Sequence, residues 1–95
     1  MESVKPLFPL GRIVATPGAL DALARANQQP DHFLNRHMTG DWGSELSEED
    51  RAENGYSLQH GFRILSSYKT AAGEKLWLIT ESDRSVTTLL RPEEY

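Results

Sequence analysis

Lys75-Leu76-Trp77-Leu78-Ile79-Thr80-Glu81 is the stretch that most narrows what this chain can become. Its apolar side chains fall on consecutive positions, so a strand built from it needs cover on both faces and belongs in the middle of a sheet. Thr70-Ala71-Ala72-Gly73-Glu74 reads as a hairpin loop leading into it from the alternating run Phe62–Lys69. Ser82-Asp83-Arg84-Ser85 turns the chain into Val86–Leu90, and Pro92 ends the sheet. Residues 62–92 are therefore expected to form a three-stranded antiparallel meander.

The preceding half has helical punctuation. Thr16 is a good N-cap and Pro17 fits the first helical position, so a helix is expected from Pro17 to about Asn27, with Leu20, Leu23 and Ala24 as its buried stripe. Pro30 opens a second helix through Arg36 or His37, with Phe33, Leu34 and His37 inward and Gly40 placed to end it. Ser47 caps a third, worth about 1 kcal/mol, with Asp50 making an approximate capping box. Asn54-Gly55 interrupts it: either it stops at Glu53 and a new turn follows, or one helix carries the glycine at a cost of about 1 kcal/mol and closes at Gly61. Upstream, residues 1–11 read as an extended arm anchored by Phe8, and Arg12-Ile13-Val14-Ala15 as a short strand that can add at a sheet edge. The expected fold class is α+β: two to three short helices packed on one face of a meander, in a single domain (1–11 arm, 12–61 mainly helical, 62–92 meander).

Charge is distributed unevenly. The protein has 95 residues and a net charge of −4, yet residues 41–54 alone carry −5: Asp41, Glu45, Glu48, Glu49, Asp50 and Glu53 against Arg51. No basic stripe is present to replace phosphate counterions, so direct binding of nucleic acid is not expected. Carboxylates suit a helix N-terminus whatever its function, and an acidic cluster on an otherwise balanced chain also favours a basic partner. Trp42, between Asp41 and Gly43, reads first as a core anchor between the two halves and second as an exposed aromatic contact.

Other classes are narrowed by composition and spacing. With no cysteine, disulfides, thiolate metal sites and cysteine nucleophiles are excluded. His32 and His37 are five apart, about 140° around a helix, too far for a shared metal. The N-terminus lacks a signal-peptide pattern and no apolar run is long enough to span a bilayer, so a cytoplasmic protein without a membrane partner is expected. No cofactor is expected; Ala15-Thr16-Pro17-Gly18 lacks the glycine spacing of a phosphate loop.

Four blocks occur in order along nearly the whole chain: Leu10-Gly11-x-Ile13-Val14-Ala15-Thr16-Pro17-Gly18-Ala19-Leu20; Gly40-Asp41-Trp42-Gly43; Gly61-x-Arg63-x-Leu65-Ser66-x-Tyr68; and Trp77-x-Ile79-Thr80-Glu81-x-Asp83-Arg84-Ser85-x-Thr87-Thr88-x-Leu90-x-Pro92-Glu93-Glu94-Tyr95. Together they resemble a family of small bacterial proteins carried on plasmids, prophages and integrative elements. Its members are described as plasmid-related and sometimes labelled as the modification subunit of a type I restriction enzyme. The resemblance implies a mobile-element setting and supplies no catalytic residues. A methyltransferase needs a cofactor-binding sheet and catalytic motif that do not fit in this length, so that label is set aside. Ser44 and Asn54-Gly55 depart from the acidic or smaller residues of the family pattern, at the boundary of the third helix.

Three functional expectations follow. The first is a non-catalytic protein-binding module of anti-CRISPR or antirestriction type, meeting a basic, nucleic-acid-handling host complex through Asp41, Trp42, Glu45, Glu48, Glu49, Asp50 and Glu53. The second is a small metal-independent ribonuclease of toxin type using His60, Arg63, Tyr68, Arg84 and Thr88. The third is a self-associating accessory module, a homodimer paired through Val86–Leu90 or Phe62–Lys69 at a sheet edge.

Overall fold

The computed structural model describes residues 5–95; Met1–Val4, the start of the expected arm, lie outside the described residues. The elements are β1 (Arg12–Ala15), α1 (Pro17–Ala26), α2 (Pro30–Met38), α3 (Glu48–His60), β2 (Ile64–Lys69), β3 (Lys75–Thr80) and β4 (Val86–Leu90), followed by a 3-10 turn at Pro92–Glu94. The architecture is α+β, with three helices and one sheet. The doubly apolar run becomes β3, paired antiparallel with β2 on one side and β4 on the other.

The expected three-stranded antiparallel meander is present as β2-β3-β4, and Arg12–Ala15 adds at an edge, but the sheet as a whole is mixed rather than antiparallel. The sheet has four strands in the order β1-β4-β3-β2, and β1 lies parallel to β4. Backbone bonds at both ends of β1 fix this: Arg12 N–H donates to the Ser85 carbonyl at 2.9 Å and Thr16 N–H to the Leu89 carbonyl at 3.0 Å. Parallel strands need a crossover, and here everything from α1 to β3 intervenes. Pattern within a four-residue strand carries no information on such a distant pairing. The same topology places Val86–Leu90 inside the sheet, so it offers no edge for a dimer.

Strand register sorts the sheet's side chains. Ile64, Ser66 and Tyr68 of β2, Leu76, Leu78 and Thr80 of β3, and Thr87 and Leu89 of β4 share one face, none more than 1% exposed. Helices α1 and α2 cover that face with Ala19, Leu23, Phe33 and Leu34. The stripe of α1 is rotated from expectation: Ala19, Ala22 and Leu23 are buried, whereas Leu20 and Ala24 are exposed. Small alanines let the helix approach the sheet closely, an advantage that outweighs burying the larger Leu20. On the opposite face lie Trp77, Ile79, Thr88 and Leu90, with the Tyr95 ring edge-on to Trp77 at 5.9 Å.

The start of α1 is completed from far along the chain. The Thr16 hydroxyl accepts from Ala19 N–H at 3.1 Å and donates to the Glu94 carboxylate at 2.6 Å. The same carboxylate accepts from Gly18 N–H at 3.1 Å and Arg91 N–H at 2.8 Å. These bonds hold Glu94 below the ordinary carboxylate pKa, the Thr16 hydroxyl first. A Cβ on Gly18 would come within 2.5 Å of that carboxylate, so glycine permits the approach.

Under α2 runs a buried chain of polar groups. Thr87 Oγ1 donates to the Leu10 carbonyl at 2.7 Å and lies 2.6 Å from Thr80 Oγ1, which is 2.9 Å from His37 Nε2. His37 Nδ1 is 2.5 Å from Ser66 Oγ. A carbonyl can only accept, so the donors have one consistent order: Ser66 to Nδ1, Nε2–H to Thr80, Thr80 to Thr87, Thr87 to Leu10. The imidazole is neutral, protonated on Nε2. Phe8, as expected, is the arm's anchor, edge-on to this ring at 5.2 Å and stacked on Trp42 at 6.3 Å.

His37 is fully buried with no carboxylate among its hydrogen-bond partners, and burial pushes its pKa from 6.5 down to about 3. Its contribution to stability is therefore complete above pH 6.5 and drains away as pH falls toward 3, because the unfolded chain takes up the proton first. Between pH 7 and pH 5 the protein is expected to lose about 2 kcal/mol. Urea melts at the two pH values measure this loss. His37→Gln, though less stable overall, should remove most of the pH dependence in that window.

Candidate protein-binding surface

The turn after α2 is built by two left-handed glycines, Gly40 (φ 89°) and Gly43 (φ 91°), which let four residues reverse the chain against β2. Asp41 accepts from Arg36 Nε at 2.7 Å and from Gly43 N–H at 3.3 Å; the arginine bond is the main reason its pKa is depressed. Tyr68 donates its hydroxyl to the Asp41 carbonyl at 2.6 Å while the Arg36 guanidinium lies 4.5 Å over the Tyr68 ring. Ser67 N–H donates to the Trp42 carbonyl at 3.0 Å, and Arg51 donates to the Gly43 carbonyl. Trp42 itself is 8% exposed, packed with Phe8, Leu46 and Ile64. Of its two readings the structure has the core anchor, and Trp42 leaves the set of partner contacts for that reason.

Helix α3 runs unbroken through Gly55, where a Cβ would meet nothing within 4 Å, and closes at Gly61 in the left-handed conformation. Ser47 Oγ accepts from Asp50 N–H at 3.2 Å. Only Asn54 and Ser57 are buried on this helix. Asn54 supplies what an apolar face would otherwise provide: its Nδ2 donates to the Leu65 carbonyl at 2.6 Å, and its Oδ1 accepts from Leu65 N–H at 3.1 Å. With the Trp42 carbonyl on Ser67, these bonds occupy the outer edge of β2. In the second expected pairing edge, Phe62–Lys69, the Leu65 backbone groups and the Ser67 N–H are thus taken by the protein's own groups, a common way of blunting an edge strand.

This arrangement leaves the carboxylates facing water. Glu45, Glu48, Glu49, Asp50 and Glu53 are all exposed, and among the described residues none forms an ion pair. The one cation of the stretch, Arg51, is turned to the Gly43 carbonyl instead. Asp41 is exposed but is partly neutralised by Arg36. Of the seven expected contact residues, five are thus exposed and outside any ion pair among the described residues, Asp41 is paired with Arg36, and Trp42 is buried.

The residues considered for ribonuclease chemistry are committed elsewhere. Tyr68 is 1% exposed, its hydroxyl spent on Asp41 and its pKa raised by burial. Arg84 donates to the carbonyls of Phe62 (2.6 Å), Ser57 (3.0 Å), Glu81 (3.1 Å) and Ser82 (3.2 Å), which makes it the clamp between α3 and the β3–β4 turn. Arg63 donates to the Tyr95 hydroxyl, and His60 rests against Tyr56. Thr88 and Tyr68 lie on opposite faces of the sheet. No group of three His, Asp or Glu side chains among the described residues is placed to share a metal ion, and no described helix is long and apolar enough to cross a membrane.

Two roles escaped the sequence. Asn54-Gly55 looked like a helix break because both residues are poor helix formers; the asparagine is instead the attachment of α3 to the sheet. The Arg84 clamp has only a weak signal in the sequence, a basic residue inside the turn Ser82-Asp83-Arg84-Ser85; its left-handed φ of 60° belongs to the folded turn. Comparison with protein-family models, curated proteins and solved structures gives no match.

Asn54→Ala is expected to cost about 2 kcal/mol, since it leaves both Leu65 backbone groups without their partner. Gly55→Ala should stabilise by about 0.5–1 kcal/mol, having space for the methyl group and a better helix former. Thermal melts of the two variants, which differ by one position and are opposite in sign, check both.

Proposed function

We propose that this protein is a non-catalytic binding module of a mobile genetic element, which acts on a basic, nucleic-acid-handling host complex in the manner of anti-CRISPR or antirestriction proteins. The observation that supports this most is the five exposed carboxylates of the α3 N-terminus and the loop before it, none of which forms an ion pair among the described residues. An uncompensated negative surface on a folded helix imitates the charge of a phosphate backbone and accelerates encounter with a positive groove. The resemblance to small plasmid and prophage proteins adds a setting in which host defence complexes are the natural targets.

The test is capture from host extract with the wild-type protein and with Glu48→Lys, Glu49→Lys, Asp50→Lys combined. A nucleic-acid-handling complex should be retained by the wild type, be released as salt rises about tenfold, which shortens the Debye length about threefold, and be lost with the triple variant. These side chains are exposed, so circular dichroism should show the fold intact. Capture that survives both charge reversal and salt would refute the proposal.

A further inference from the structure

Beyond its carboxylates, α3 exposes something a merely solvated helix does not. Tyr56 is 52% exposed and Phe62 50%, and their rings lie 5.7 Å apart at an angle of 6°. His60, one turn after Tyr56, places its ring 4.1 Å from it. At about 100° per residue, Glu49, Glu53, Tyr56 and His60 fall within an arc of about 60° on the helix, whose centre is about 100° round from that of the face that buries Asn54 and Ser57. The stripe is acidic over its first half and aromatic over its second.

The aromatic half is held in place. Gly61, left-handed at φ 74°, turns the chain so that Phe62 N–H donates back to the Ser57 carbonyl at 3.3 Å. Arg84 clamps the Phe62 and Ser57 carbonyls at 2.6 and 3.0 Å. Rings fixed in this way lose little freedom when something docks on them. Three other rings carry a guanidinium of the protein's own: Arg36 on Tyr68, Arg63 on Tyr95 and Arg84 on Phe8. Among the described residues, no arginine or lysine sits over Tyr56 or Phe62; what rests against Tyr56 is the His60 ring.

We infer that this stripe is a docking surface for an arginine-bearing segment of a partner protein, with guanidinium groups stacked on Tyr56 and Phe62 and paired with Glu53 and Glu49. Charge complementarity sets the sign of the partner. The paired flat rings set the residue type, because a planar guanidinium both stacks and forks to a carboxylate, whereas an ammonium does neither. This rests on the acidic-surface reading and adds to it a preference that charge alone does not produce.

The experiment titrates the full chain with two synthetic peptides of equal length and charge, one of Arg-Gly-Ser repeats and one of Lys-Gly-Ser repeats, by calorimetry at 0.1 M salt. The arginine peptide should bind about fivefold tighter or more, with amide shifts of Tyr56–Phe62 among the largest. Tyr56→Leu with Phe62→Leu keeps apolar area while removing the π faces, and should bring the arginine peptide down to the lysine value. Glu49→Lys with Glu53→Lys should abolish binding of both. Equal affinity of the two peptides for the wild type, or a preference that persists in the leucine variant, overturns the inference. In those cases the acidic-surface proposal stands if charge reversal still abolishes binding; if neither peptide binds, both fail.

Discussion

The buried imidazole of His37 is the constraint around which the other parts of this fold are arranged. Through Ser66, Thr80 and Thr87 it joins α2 to three successive strands, and the chain of hydrogen bonds ends on the Leu10 carbonyl in the segment before β1. His37, Thr80 and Thr87 each donate one of these bonds and accept another, so none of the three can move without leaving a buried neighbour unsatisfied. A purely apolar contact between α2 and the sheet would tolerate a slide by part of a turn. This one specifies depth, rotation and register together. Phe8 and Trp42 then have a fixed ring to pack against, and the Gly40–Gly43 turn starts from a fixed point.

Local chemistry was legible in the sequence, and distant polar pairing was not. Thr16-Pro17, Ser47 and Gly61 mark real helix ends because capping is decided within one turn. Lys75–Thr80 announced itself as central because both faces are buried under the same physical rule that makes them apolar. His37, by contrast, looks in sequence like any histidine near a helix end, and its partners are 29 and 43 positions away. The parallel pairing of β1 escaped for the same reason. As for the surface, its acidic half could be counted directly, while its aromatic half could not, because Phe62 joins Tyr56 only once Gly61 and Arg84 have folded it back.

The two sides of the sheet solve their edge problem differently. At β2 the backbone is occupied by Asn54 and by the Trp42 carbonyl, so α3 is attached mainly through polar groups, with Leu58 its apolar contact to the Phe8–Trp42–Leu46–Ile64 cluster. That explains how a helix with so little hydrophobic character stays in place. At the other edge, β1 has no further strand beside it among the described residues, and Ile13 and Val14 are partly exposed there.

The reach of Glu94 back to Thr16 and Gly18 has a consequence for the order in which the molecule matures. On a ribosome the chain emerges from its N-terminus, and α1 could be extruded long before the carboxylate that completes its first turn. Its neighbour β1 likewise waits for β4, the last strand to appear. Closing contacts over such separations is slow compared with making a hairpin. The β2–β3 hairpin, whose strands are neighbours in sequence, closes the shorter loop, whereas α1 and β1 depend on groups far along the chain.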